Sequence, residues 1–136
     1  MRLVLDANEY IFALGFFRKV SSESLLNFLI DNFSSHSICI CRTIVEEVRA
    51  NLTPNELPNF IKFINIFTTI EEDFFIPFEI GVRYETKGLK EADALIAAFT
   101  EWVGADVLVT ENRHFLNRHP DLPFKILTAE ECLKLI

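Results

Sequence analysis

GLKEADALIAAFTEWVGADVLVTENRHF, residues 88–115, decides how this chain folds. From Lys90 to Val103 the apolar residues Ala92, Leu95, Ile96, Phe99 and Val103 recur at helical spacing and make one face. Gly104 supplies the stop that a helix C-terminus favours. Asp106–Thr110 then reads as a strand that is apolar on both faces, which suits the interior of a parallel sheet. Helix, glycine, buried strand and polar turn in that order make half of a crossover unit.

The same alternation runs outward in both directions. Arg2–Leu5 reads as a first central strand ending at Asp6, followed by a helix over Glu9–Phe17. Ser21-Ser22-Glu23-Ser24 is an N-cap signal leading a helix that carries Leu25, Leu26, Leu29, Ile30 and Phe33. Ser37–Cys41 reads as a second strand. Thr43 is placed to cap a helix whose buried stripe is Ile44, Val45, Val48 and Leu52. Thr53-Pro54 predicts a helix start, with the helix passing through Phe60, Ile64 and Phe67, and Phe67–Ile70 reads as a short strand. Pro77 opens a helix through Ile80 and Tyr84, ended by Lys87-Gly88. Phe124–Leu127 is the last strand and Ala129–Ile136 a closing helix. Strands alternating with helices predict a three-layer α/β/α fold with a central, mostly parallel sheet, in one domain over residues 1–136. Ligands in such folds bind beyond the carboxyl ends of the strands, where Asp6 and Thr110–Asn112 fall.

Composition narrows the function classes. At 136 residues the chain can bury a real core without disulfide or metal staples. A formal net charge of −7 argues against broad duplex binding, which needs a basic surface. It leaves open an enzyme that meets phosphate through a bound cation. Cys39, Cys41 and Cys132 make neither a disulfide framework nor a zinc spacing, and read as small buried hydrophobes in a reduced, cytoplasmic protein. The opening MRLVLD meets a charge too early for a signal peptide, and no uncharged apolar run is long enough to span a membrane. Fourteen Phe stand against one Trp and two Tyr. Phe has no polar handle, so these read as core fillers, with an apolar homodimer patch among them, ahead of any base-stacking role.

Four polar islands interrupt this greasy chain: Asp6, the pair Glu46 and Glu47, Asp93, and Asn112. Acids beside a hydrophobic core are costly without compensating charge. Each also has an ordinary structural use: Asp6 as an N-cap, Glu46 and Glu47 as solvated acids, Asp93 as a first-turn acid near the positive helix end, and Thr110 and Asn112 as turn formers. On its helix Glu47 falls nearer the apolar border than Glu46, and Asp93 likewise borders its apolar stripe. Asp106, at the start of its strand, belongs to the sheet's opposite end. Arg113, His114 and Arg118 are candidates for phosphate contact, whereas His36 and His119 read as surface residues.

The order of these islands resembles the PIN-domain family of nucleases: an acid after the first strand, an acid on a mid-chain helix, GLKEADALIAA on a late helix and LVTENRHF after the next strand. The resemblance spans effectively the whole chain, and Gly88–Phe115 is its specific part. It implies an α/β/α fold and Mg²⁺- or Mn²⁺-dependent cleavage of single-stranded RNA or structured nucleic acid. The site acids it implies are Asp6, Glu47 (with Glu46 the register alternative) and Asp93. Asn112 stands where the family often has Asp, which removes one charge and leaves the number of metals open. The family's toxin–antitoxin members imply an antitoxin protein as partner and a homodimer. The chemistry agrees with the residue types, since phosphodiester hydrolysis needs a metal to neutralise phosphoryl charge and to acidify a water. Three carboxylates and an amide oxygen are a hard donor set suited to Mg²⁺. A haloacid-dehalogenase-like phosphatase would need a second Asp where Asn8 stands, and a catalytically incomplete PIN-like scaffold that only binds a partner is the other alternative.

Overall fold

A computed structural model describes residues 1–116 and 121–136. Five strands, β1 (Arg2–Leu5), β2 (Ser37–Cys41), β3 (Thr68–Glu71), β4 (Val107–Val109) and β5 (Lys125–Leu127), form one sheet in the order β3-β2-β1-β4-β5. Every pairing is parallel. The helices are α1 (Ala7–Leu14), α2 (Val20–Asp31), α3 (Arg42–Asn51), α4 (Leu57–Phe67), α5 (Phe78–Thr86), α6 (Glu91–Trp102), α7 (Arg113–Leu116) and α8 (Ala129–Leu135), with a single 3₁₀ turn at Asp73–Phe75.

That strand order dictates the layers. The connections β1–β2 and β2–β3 step one way across the sheet, and β3–β4 and β4–β5 step the other way. Right-handed crossovers therefore put α1 to α4 on one face and α5 and α6 on the other. The contacts agree: α1 packs on α2, α3 and α4, while α5 packs on α6 and α6 on β4. The last helix, α8, returns to pack on α2. The result is a three-layer α/β/α fold. The direction reverses between β1 and β4, so a crevice opens beyond their carboxyl ends.

The core is the sheet's own apolar runs. Leu3, Val4, Leu5, Ile40, Leu108 and Val109 are wholly buried, as strands covered on both faces require. Cys39, Cys41 and Cys132 are buried free thiols. Burial pushes their pKa up, to about 12 for Cys41 and about 11 for Cys132.

Several boundaries differ from the sequence expectations for local reasons. The first helix stops at Leu14 because Gly15, in extended backbone, caps it by donating to Ile11 O at 2.8 Å. The serine run does not cap α2: the helix begins at Val20, Lys19 is its N-cap, and Ser22 turns inward instead. Thr43 lies inside α3, where its hydroxyl donates to Asp73, and Cys41 is the N-cap. Thr53-Pro54 forms a turn closed by Thr53 N to Glu56 Oε1 at 2.8 Å, and it is Pro58, in the first turn of α4, that opens the helix. The phenylalanines also divide. Phe60, Phe99 and Phe115 are core fillers, but Phe16, Phe17, Phe33, Phe74, Phe75 and Phe78 are exposed. A uniformly apolar sequence hides which of its aromatics face out.

Five polar residues are buried among the described residues: Asp6, Glu9, Ser22, Thr100 and Thr110. Thr100 satisfies itself by donating to Ile96 O at 2.7 Å within its helix. The other four form two pairs at the crevice edge, Thr110 with Asp6 and Ser22 with Glu9. Glu9 is fully enclosed; Ser22 Oγ donates to its Oε2 at 2.9 Å, and its Oε1 has no donor among the described residues. Burial, and then the neighbouring Glu111 carboxylate, push the Glu9 pKa up to about 9. Glu9 is therefore held protonated at neutral pH, with a proton to donate to Glu111.

Two stability predictions follow from these buried groups. A carboxyl raised from 4.5 to about 9 stabilises the fold fully below pH 4.5, and that contribution is lost as pH rises towards 9. Glu9→Gln keeps a donor and an acceptor without the titration. It should match the parent at pH 4.5 and exceed it by about 3 kcal/mol at pH 7. Urea unfolding at pH 4.5, 7 and 9 checks this, and an identical decline in both proteins would refute it. Tyr10, edge-on to Phe60 and Phe63 in the α1–α4 contact, buries a hydroxyl with no partner among the described residues. Tyr10→Phe should then be neutral or stabilising by up to about 1 kcal/mol in the same assay.

Candidate functional site

The β1–β4 pairing builds the site. Leu3 faces Val107, Val4 faces Leu108 and Leu5 faces Val109, so the residues that follow each strand emerge side by side. Asp6 N continues the ladder by donating to Val109 O at 2.8 Å. Its side chain is 6% exposed and fully employed. Oδ1 accepts from Ala7 N at 2.8 Å, capping α1, and Oδ2 accepts from Thr110 Oγ1 at 2.7 Å. Asp6 is thus a helix cap and a site acid at once; the two uses do not compete, because each oxygen keeps a second lone pair. Burial raises its pKa, the Thr110 and Ala7 bonds oppose that rise, and the charge of Asp93 adds to it.

Glu47 comes from α3, on the far side of β1 from β4. Its side chain reaches solvent, yet its pKa is raised, first by the surrounding protein and then by the charges of Asp6 and Asp93. Glu46, one residue earlier, faces away and pairs with Arg42 and Arg49, each at 3.5 Å. Asp93, half-buried in the first turn of α6, completes a set of three acids that feel one another's charge. None of the ion pairs formed by the described side chains involves any of the three.

Asn112 is half-buried in the turn after β4. Its N–H donates to Thr110 Oγ1 at 3.0 Å and its Oδ1 accepts from His114 N at 3.0 Å. The amide oxygen therefore already serves the start of α7. Asp106 lies at the opposite sheet edge, where Oδ2 accepts from Arg2 N at 2.7 Å. His114 is exposed; Arg118 and His119 lie outside the described residues.

Hard oxygen donors, mutual repulsion and no countering cation among the described side chains are the chemistry a divalent ion satisfies. The acids face one another at electrostatic range. Among the described residues no three His, Cys, Asp or Glu side chains are already gathered tightly enough to hold an ion. Of the three, Glu47 alone has an exposed side chain, and Asp6 is the most constrained.

Glu9 and Glu111 are the residues that sequence reasoning missed. Glu111 Oε1 accepts from Lys19 Nζ at 3.1 Å and Oε2 from Ala129 N at 3.0 Å, while Glu9 stands behind it. Together they tie α1, the start of α2, the Thr110–Asn112 turn and the start of α8 at one point. Their partners are remote in sequence, so no local pattern announces them.

No family model matches the chain, and neither does any curated protein. Solved structures do match it. One is VapBC2 from Rickettsia felis bound to a DNA fragment from their promoter, at 21% identity and a TM-score of 0.64, covering 93% of this chain and 97% of that one. Another is FitAcB from Neisseria gonorrhoeae, at 16% identity and a TM-score of 0.59, covering 94% and 98%. At these identities the likeness shows the α/β/α fold, over nearly the whole length of both partners.

Proposed function

We propose that this chain is a divalent-metal-dependent endoribonuclease that hydrolyses phosphodiester bonds of RNA, and that it acts as the toxin of a toxin–antitoxin pair. The observation that supports the activity is that Asp6, Glu47 and Asp93 lie close enough to feel one another's charge, unpaired with any described cation. The fold shared with VapBC2 and FitAcB supports a protein partner, an antitoxin, and a homodimer.

Asp6, Glu47 and Asp93 would hold the ion, Mg²⁺ or Mn²⁺, with Asn112 contributing an amide oxygen. When bound, the metal neutralises charge on the phosphoryl oxygens and lowers the pKa of a water. The chain's residues do the rest. The Thr110 hydroxyl and the Ala7 N–H fix the orientation of the Asp6 carboxylate, as outer partners of a metal ligand do. The Asp93 carboxylate is carried on the rigid first turn of α6. With the neutral amide of Asn112 at the fourth position, three charges rather than four face the substrate, which leaves the number of ions, one or two, open.

A second reading has a specific observation behind it: Asn112 Oδ1 already accepts from His114 N and carries no charge, which leaves one lone pair and a weaker donor at the fourth position. On that reading the chain is a PIN-like scaffold that binds nucleic acid or protein without cutting.

Two measurements decide. Asp6→Asn and Asp93→Asn should each lower Mg²⁺-dependent RNA cleavage by on the order of a hundredfold or more, with unchanged circular dichroism; full activity in both variants would end the nuclease assignment. Calorimetric titration with Mn²⁺ near pH 7 should show binding. Because Asp6 and Glu47 have raised pKa values, protons compete for the site, and affinity should weaken as pH falls from 7.5 to 5.5. No heat of binding at pH 7.5 would leave the scaffold standing.

A further inference from the structure

We propose that Phe16-Phe17-Arg18-Lys19, between α1 and α2, is a stacking platform for the bases of single-stranded RNA at the rim of the acidic site, an inference that rests on the ribonuclease reading above. Phe16 and Phe17 are 82% and 81% exposed, with Val20 beside them at 83%. Their rings meet edge to face, 5.1 Å apart at 87°, so two perpendicular aromatic faces stand in solvent. Adjacent bare phenylalanines are a surface awaiting a partner.

The position of the segment links it to the site. Lys19 Nζ holds Glu111 Oε1 at 3.1 Å, and Glu111 lies between Thr110 and Asn112. Lys19 is further fixed by its N–H to Phe12 O at 2.9 Å and by its ammonium over the Phe12 ring. Lys19 is therefore the tether. Arg18 is the more readily exchanged cation: its Nε donates to Gly15 O at 3.3 Å, and its pair with Glu23, at 3.1 Å, has both members about half exposed, and such pairs are marginal.

Charge selects the occupant. The chain carries −7 and its cleft is acidic, so a phosphate backbone is repelled except where cations stand. Here Arg18, with its side chain 56% exposed, adjoins two π faces, and a cation beside aromatic faces is the combination that binds single strands without reading sequence. A second exposed aromatic cluster, Phe74, Phe75 and Phe78, lies at a groove of about 680 Å³ that Phe74 and Phe78 line and Asp73, Glu85 and Glu91 rim. That rim repels phosphate, which sets the two surfaces apart. Phenylalanine has no hydrogen-bonding group, so any unpaired base fits, and a duplex, with its bases stacked inside, does not.

The experiment uses the full chain and a fluorescent single-stranded oligoribonucleotide. Phe16→Ala/Phe17→Ala should raise KM about tenfold or more, with a smaller change in kcat. In an Asp6→Asn background the same double variant should weaken binding in anisotropy by a similar factor, while Phe17→Trp retains binding. Arg18→Ala should flatten the salt dependence of that binding. Normal cleavage and unchanged KM in the double variant would overturn the platform and leave the nuclease intact. Loss of binding on double substitution in a chain that cuts nothing would support the platform and reject the nuclease. An unchanged RNA affinity accompanied by loss of self-association, or of capture by a co-expressed protein partner, would assign the segment to protein docking and overturn the proposal.

Discussion

The hydrogen bonds between β1 and β4 are the constraint on which the functional edge depends. They join the first strand of the chain to a strand more than a hundred residues later, and they join them at the point where the crossovers change direction. Two consequences are forced. No helix can cover the carboxyl ends of these strands, because the chain leaves them towards opposite faces. And whatever follows each strand must stand beside whatever follows the other. The Thr110 hydroxyl reaches the Asp6 carboxylate for this reason, and the bond between them extends the sheet's own register into side chains.

Around that bond the molecule concentrates its electrostatic cost. Elsewhere the interior is aliphatic and aromatic; here lie Asp6, Glu9 and the half-buried Asp93 and Glu111. The two sets of acids are handled differently. Burial and the neighbouring Glu111 push Glu9 towards its neutral form, where it holds α2 through Ser22, while the charged Glu111 ties in Lys19 and the start of α8. Asp6, Glu47 and Asp93 have no such arrangement, and their repulsion persists at the rim of the crevice. A buried acid that keeps a proton is an adhesive, whereas acids left charged beside one another go on repelling.

Much of this was legible in the sequence. Short β-branched and aliphatic runs announced β1, β2 and β4, and the periodicity of α6 was unambiguous over three turns. The preference for Glu47 over Glu46 came from helical geometry alone, and the structure turns Glu47, not Glu46, towards Asp6 and Asp93. What stayed hidden had non-local causes. Ser22 looked like a cap because its hydroxyl suits one, and only the fold reveals that Glu9 claims it. Pro54 and Pro58 are equally plausible helix openers, and the choice fell to a turn closed by the Glu56 side chain. The exposed phenylalanines could not be told from the buried ones, since in a chain half hydrophobic nearly every stretch has apolar neighbours.

The cysteines of the core carry a practical corollary. Cys41 at the end of β2 and Cys132 on α8 are fully enclosed, and burial pushes their thiols up to about 12 and about 11, above the range in which thiolate forms. A thiol reagent can reach them only when the sheet parts from its helices. At these two thiols the unaltered protein therefore bears an internal clock for global opening, whereas a cysteine engineered onto its surface would be labelled while the fold stays closed.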